Sequence, residues 1–219
     1  MSVSFDFQGH LAKGCARLGL TLDPGANSRL ELYFEELRRW SGKVNLIARD
    51  TGDQEILDKH FLDSLAVLPL LTGESVHLLD VGSGAGFPGL VCKAARPDLI
   101  VTLVEPRLKR VSFLRHVART LGINEGLSVL AGRVEDVQPL TTQPFTHITC
   151  RAVTDLAAFF RLIEHLWLPG TRIIAMKGPK WSEELAACPL ELRGMLEKRV
   201  EYQLPFSGVG RVVLTFLRT

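Results

Sequence analysis

In Leu78-Leu79-Asp80-Val81-Gly82-Ser83-Gly84-Ala85-Gly86-Phe87-Pro88-Gly89 an apolar run ends in an acid, then in glycines at alternate positions, and a helical pattern follows. Such a strand, turn and helix lets backbone approach a nucleotide-like ligand with no Cβ in the way. Both dinucleotides and S-adenosylmethionine (SAM) use loops of this kind, and Gly84-Ala85-Gly86-Phe87-Pro88-Gly89 satisfies G-x-G-x-x-G. Two residues favour SAM. A pyrophosphate needs free N–H groups at the helix N-terminus, and Pro88 has none to offer. Asp80 places a carboxylate where a cationic sulfonium or amino group is welcome and a phosphate is repelled. A purely structural glycine turn is the plainer alternative.

Downstream of this loop, short β-rich runs alternate with helical segments. The runs are 76–81, 100–105, 127–131, 145–150 and 171–177; helices are expected over 89–95, 107–121 and 154–166. This alternation predicts a mostly parallel sheet with crossover helices. The tail differs: runs at 199–206 and 211–217 flank Ser207-Gly208-Val209-Gly210, which reads as a hairpin and makes the last strand antiparallel. The first 75 residues read as helical. Asp23-Pro24 is a cap followed by proline at the first helical position, Leu30, Tyr33, Phe34, Leu37 and Trp40 recur at helical spacing, and a further helix is expected over 58–71. The expected organisation is an N-terminal helical extension, 1–75, ahead of a ligand-binding α/β domain, 76–219.

Apolar residues make up 46% of the 219, enough for one large core, and the longest apolar run, Leu65–Leu71, is too short to span a membrane. No basic and apolar leader opens the chain, and Cys15, Cys92, Cys150 and Cys188 form no C-x-x-C pair, so reduced thiols in a cytoplasmic protein are expected. Net charge is +2, but residues 1–75 sum to −3 and the rest to +5. Arg107, Lys109, Arg110, Arg115 and Arg119 stand together with no acid among them, either a phosphate contact or a solvated helix face.

Open α/β sheets bind ligands beyond the carboxyl ends of their strands. That rule nominates Glu105, Arg133-Val134-Glu135, Arg151 and Lys177. Glu105 lies 19 residues after Gly86, the separation at which a carboxylate accepts ribose hydroxyls in nucleoside sites.

With these residues in place, the chain closely resembles the RsmG (GidB) family of bacterial small-subunit (16S) rRNA guanine-N7 methyltransferases. The resemblance rests on Trp40-Ser41-Gly42-Lys43-Val44-Asn45-Leu46, His60-Phe61-Leu62-Asp63-Ser64, the glycine loop with its Phe-Pro-Gly ending, and Lys109-Arg110-Val111-Ser112-Phe113-Leu114. Gly132-Arg133-Val134-Glu135, Arg151-Ala152 and Lys177-Gly178 extend it. It implies a Rossmann-like class I SAM-dependent methyltransferase sheet and SAM as cofactor. The family's cofactor contacts fall on Gly82, Phe87, Val134, Glu135 and Arg151, with Glu105 where this fold holds the ribose; Asp80, Gly84 and Gly86 complete the loop. The implied partner is small-subunit rRNA or a ribosomal particle, with no membrane and no metal, and a monomer is favoured. Ile47 stands where the family commonly has threonine, and Cys150 where serine is common.

Methyl transfer to guanine N7 needs no general base, because N7 offers an in-plane lone pair and no proton; positioning and electrostatics carry the step. Arg151 is the first candidate catalytic residue, addressing the SAM carboxylate, an rRNA phosphate or guanine O6, with a structural ion pair to Glu135 or Asp155 as the alternative. Lys177 is the second, touching RNA phosphates unless Lys177-Gly178-Pro179-Lys180 is a solvated basic turn. His60 and Asp63 share a helix face, where a hydrogen-bonded structural histidine is the expectation; Asn45 and Trp40 likewise read as structural. A Cys150 nucleophile has no Pro-Cys motif behind it. Two further readings stay open: an NAD(P)-dependent oxidoreductase on the G-x-G-x-x-G match, and a non-catalytic RNA-binding protein on the basic segment.

Overall fold

The computed structural model describes residues 5–136, 144–151 and 155–218. Ala152, Val153 and Thr154, part of the family-like segment and of the expected helix start, lie outside them.

Seven strands form one sheet in the order β3-β2-β1-β4-β5-β7-β6. β1 (His77–Val81), β2 (Ile100–Glu105), β3 (Leu127–Ala131), β4 (His147–Arg151) and β5 (Arg172–Lys177) run parallel, while β6 (Leu196–Gln203) and β7 (Gly210–Leu217) form a hairpin whose β7 pairs antiparallel with β5. Sequence alternation sets the layers. Leu78, Val101 and Leu103 face a core shared with Phe7 and Leu11 of α1 (Phe7–Arg17), Leu30, Tyr33 and Leu37 of α2 (Pro24–Ser41), Leu90 of α5 (Gly89–Ala95) and Phe113 of α6 (Leu108–Thr120). Leu79, Val81, Val104 and Ile148 face the opposite core with Leu156, Phe159, Phe160 and Ile163 of α7 (Leu156–Ile163). Each such fully buried Phe or Leu contributes about 1.5–3 kcal/mol. No helix among the described residues is long and apolar enough to cross a membrane.

The caps follow the sequence: Asp23 accepts from Ala26 N with Pro24 opening α2, and Asp6 accepts from Gly9 N ahead of α1. Two expectations need correction. The helix over 58–71 is not one uniform element. It begins earlier, as α3 (Asp53–Ile56), widens into a π-helical segment over Leu57–Leu62, resumes as α4 (Asp63–Leu65), and ends in a 3-10 turn at Leu68–Leu70, where Pro69 cannot donate to an α-helical ladder. The hairpin's first strand spans 196–203 rather than 199–206, because Asp58 takes the N–H groups of Phe206 and Ser207 and draws the connection off the ladder. Two short helices, α8 (Trp181–Ala186) and α9 (Leu190–Gly194), lie between β5 and β6 and had no counterpart in the sequence reading.

Register places the strand ends side by side. Val81 pairs with Val104 and with Cys150, so Gly82, Glu105 and Arg151 occupy one level at the carboxyl edge, at the point where strand order reverses. Across the sheet Lys177 pairs with Val212, and Tyr202 with Arg211, at the same edge.

Candidate active site

The glycine loop is closed on itself. Gly82 and Ser83 N–H donate to Val104 O, Gly86 and Phe87 to Ser83 O, Leu90 to Gly86 O, Gly84 to Glu105 Oε2 at 2.8 Å and Gly89 to Asp80 Oδ2 at 2.9 Å. Pro88 has no N–H. The loop therefore offers no cluster of free donors for a pyrophosphate, which removes the physical ground for the dinucleotide reading. Gly82, Gly84 and Gly86 all take positive φ, at 70°, 58° and 97°. Their surroundings differ. Gly82 and Gly84 are half-exposed, and a Cβ on Gly84 would meet only Arg110 Nη1 at 3.6 Å and Gly82 O at 3.9 Å. Gly86 is buried; a Cβ there would collide with Tyr33 Oη and with Leu90 Cβ at 2.8 Å. Tyr33 donates to Ala85 O, so α2 braces the loop from behind.

Asp80 lies behind the loop with no exposed surface. Its Oδ1 has no hydrogen-bond partner among the described residues, and burial raises its pKa to about 7 despite the Gly89 N–H and the nearby Arg151. Glu105 is buried at the end of β2, its two oxygens holding Gly84 N and Arg107 N.

Around Arg151 the structure assembles residues from distant parts of the chain. Its Nη1 donates to Lys59 O at 2.8 Å and lies 3.6 Å from Asp63 Oδ2, and its Nη2 lies 3.0 Å from His60 Nδ1. The guanidinium donor makes Nδ1 the acceptor, and burial lowers the His60 pKa to about 3, so the ring is neutral. His60 stacks on Phe87, centroids 4.9 Å apart. The ion-pair partner of Arg151 is thus Asp63, not Glu135 or Asp155. Asp63 also accepts from Tyr202 Oη at 2.8 Å and faces Arg211 Nε at 3.4 Å.

Other expected site residues lie apart. Lys177 is buried, 2.7 Å from Glu184 Oε2, which also accepts from Leu156 N; it is no solvated turn. Val134 opens a 3-10 turn after β3 and is buried in the second core, whereas Glu135 is exposed. Asn45 holds the Arg110 guanidinium through its carbonyl oxygen, at 3.1 Å from Nη2. Trp40 is half-buried against Phe113 and His116. Cys150 is buried, and burial pushes its thiol up to about 12, the opposite of what a nucleophile needs.

Sequence reasoning missed Tyr202, Arg211 and Asp58. The only signal for the first two was their place on either side of the glycine turn, where antiparallel pairing makes them neighbours.

Comparison with known proteins places this geometry. The family described as rRNA small subunit methyltransferase G (GidB) matches residues 26–208. The ribosomal RNA small subunit methyltransferase G of Desulfotalea psychrophila is 51% identical over 216 residues, covering 97% of this chain and 99% of that protein. The protein of the same name from Myxococcus xanthus is 42% identical, covering 97% of each. Among solved structures, the O-methyltransferase TomG from Streptomyces achromogenes, in complex with SAM, matches with a TM-score of 0.61 at 13% identity over 98% of this chain and all of that one. The Bacillus cereus O-methyltransferase, in complex with SAH, matches at 0.57 and 17% identity over 85% and 90%. These two share the fold.

Proposed function

Since the chain belongs to the rRNA small subunit methyltransferase G family, we propose that it transfers a methyl group from SAM to N7 of a guanine in small-subunit ribosomal RNA, as a cytoplasmic enzyme acting on the rRNA or a ribosomal particle. The observation that carries the cofactor assignment is the self-satisfied glycine loop. Gly82 and Gly84 present half-exposed backbone without a side chain, and a Cβ on Gly84 would meet no atom closer than 3.6 Å. Loop N–H groups already bonded to Val104 O, Ser83 O, Glu105 and Asp80 leave a pyrophosphate no cluster of donors, whereas SAM carries no phosphate and needs none.

When bound, SAM supplies a methyl carbon made electrophilic by its positive sulfur. Gly82 and Gly84 give it room, Glu105 serves the ribose, and Phe87, Val134 and Glu135 flank it. Gly86 and Asp80 act on the loop from behind, Gly86 by close packing and Asp80 through Gly89 N. Arg151 does not confront the sulfonium as a bare cation, because Asp63 offsets its charge; its role is to fix the Phe87 side of the site and to bind an anionic group of cofactor or RNA. Lys177 holds Glu184 against the start of α7 and so acts as a positioning residue. Residues 1–75 serve as a helical extension that braces the loop of the 76–219 domain through Tyr33. No side chain needs to remove a proton, since N7 carries none.

The test is incubation with methyl-labelled SAM and unmodified small-subunit RNA or particles, digestion to nucleosides, and mass spectrometry. Labelled 7-methylguanosine is expected. Label on another nucleoside, or none with every substrate form, overturns the assignment.

A further inference from the structure

Beside the Arg151 network, the same edge of the sheet carries a cleft of about 350 Å³, with Gly178, Trp181, Glu201, Tyr202, Gln203 and Arg211 among its walls, the Glu201 carboxylate being paired with Arg199. That size lies within the range of roughly 300–1,000 Å³ typical of small-molecule sites. Its composition is unusual for a mere surface groove. Trp181 and Tyr202 are half-buried aromatics. The Arg199 guanidinium lies 5.1 Å from the Trp181 ring centroid and is held in turn by Glu201 at 3.1 Å. Arg211 turns its Nε toward Asp63 yet keeps 22% of its side chain exposed.

An apolar partner filling this cleft would desolvate the Gln203 amide and the exposed part of the Arg211 guanidinium without offering either an acceptor. A free phosphate would have no use for Trp181. A planar aromatic base joined to a phosphodiester uses both walls: aromatic and guanidinium planes stack unpaired bases, and arginine pairs with phosphate. We propose that the cleft receives an unpaired nucleotide of the RNA substrate, its base against Trp181 and its phosphate at Arg211. This rests on the RNA-methyltransferase reading above. Continuity with the site supports it, because Tyr202 and Arg211, which line the cleft, both contact Asp63, and Asp63 faces Arg151. An occupied cleft is thus one carboxylate removed from the arginine that fixes Phe87.

Trp181 also packs on the second core, so the tests use three variants. In Gly178→Leu the added side chain enters open space, since nothing lies within 4 Å of a Cβ there and the backbone is not left-handed. It is expected to keep its melting temperature and its affinity for S-adenosylhomocysteine while raising KM for RNA about tenfold, as Trp181→Ala also should. Trp181→Phe keeps the aromatic wall and should restore KM to near the wild-type value. A single-stranded, guanine-containing oligoribonucleotide should quench the wild-type tryptophan fluorescence, and Trp181→Phe should abolish most of that quenching, because Trp167 is buried and Trp40 packs against α6. Equal quenching in Trp181→Phe, or a KM for RNA within twofold of wild type in folded Gly178→Leu, overturns the proposal. Failure of the function reading is separate: wild-type protein would make no 7-methylguanosine, while the quenching result would still stand for or against the cleft.

Discussion

The Arg151 guanidinium lies over the Phe87 ring, its central carbon 4.9 Å from the ring centroid. This contact joins the end of β4 to the glycine loop after β1, and the same guanidinium reaches back to the π-helical segment through Lys59 O and His60 Nδ1. Arg151 therefore ties the two segments together, and the proposed function gives it a second role in the site. Arg151→Ala strips the buried Asp63 of one of its two cations and His60 of its donor. A loss of about 2–3 kcal/mol is expected, seen as a melting temperature lower by roughly 5–10 °C, together with weaker binding of S-adenosylhomocysteine. Arg151→Lys keeps the charge without the planar fork and should fall between. An unchanged melting curve for Arg151→Ala would refute the structural half of this account.

Gly84 and Gly86 share positive φ but should respond differently. Gly84→Ala has room, and its left-handed backbone costs about 1–2 kcal/mol. It should fold and lose cofactor affinity, since the new methyl enters the open side of the loop. Gly86→Ala meets Leu90 and Tyr33 and should lose stability first. Melting curves with and without S-adenosylhomocysteine separate the two; full ligand stabilisation of Gly84→Ala would contradict the placement of the cofactor.

Asp80 gives a pH signature. Its folded pKa is raised to about 7 from 3.8 by burial, so between those values the folded protein holds a proton that the unfolded chain releases. Its contribution to stability is present in full below about pH 4 and is lost as pH rises through 7. His60 and His147, lowered by burial to about 3 and about 4, act with the opposite sign, losing stability as pH falls from 6.5. Asp80→Asn removes only the first effect. Its stability relative to wild type should improve steadily from pH 4 to 7 in denaturant titrations; a pH-independent difference would rule this out.

The cysteines should be inert. Cys15, Cys92, Cys150 and Cys188 are free and buried, and burial raises each thiol pKa. Native protein at pH 8 is expected to give almost no reaction with a disulfide reagent such as DTNB and four equivalents after unfolding in guanidinium. Rapid labelling of Cys150 in the native state would reopen a thiolate mechanism.

Much of this was legible in local sequence, because the relevant forces are local. Strand alternation, the Asp23-Pro24 cap and the Gly-x-Gly-x-Gly turn each express a backbone preference that their own residues impose. Helix winding was less legible. Asp58 and His60 in the π-helical segment, and Asp63 just after it, take partners from distant parts of the chain that no local pattern announces, and α8 and α9 are too short to show a period.

By itself, the sequence determined a parallel α/β sheet with an antiparallel tail, a glycine loop for a nucleotide-like ligand with SAM favoured over a dinucleotide, and the places of Glu105 and Arg151 at strand ends. Only the tertiary structure decided what those residues face. It turned Gly86 inward against Tyr33, buried Asp80 behind the loop, withdrew Lys177 onto Glu184, and gave Arg151 its partner in Asp63, 88 positions earlier. The reason is physical: periodicity and caps are written within one or two turns of chain, whereas a buried charge takes whichever opposite charge the packing of distant elements brings within reach.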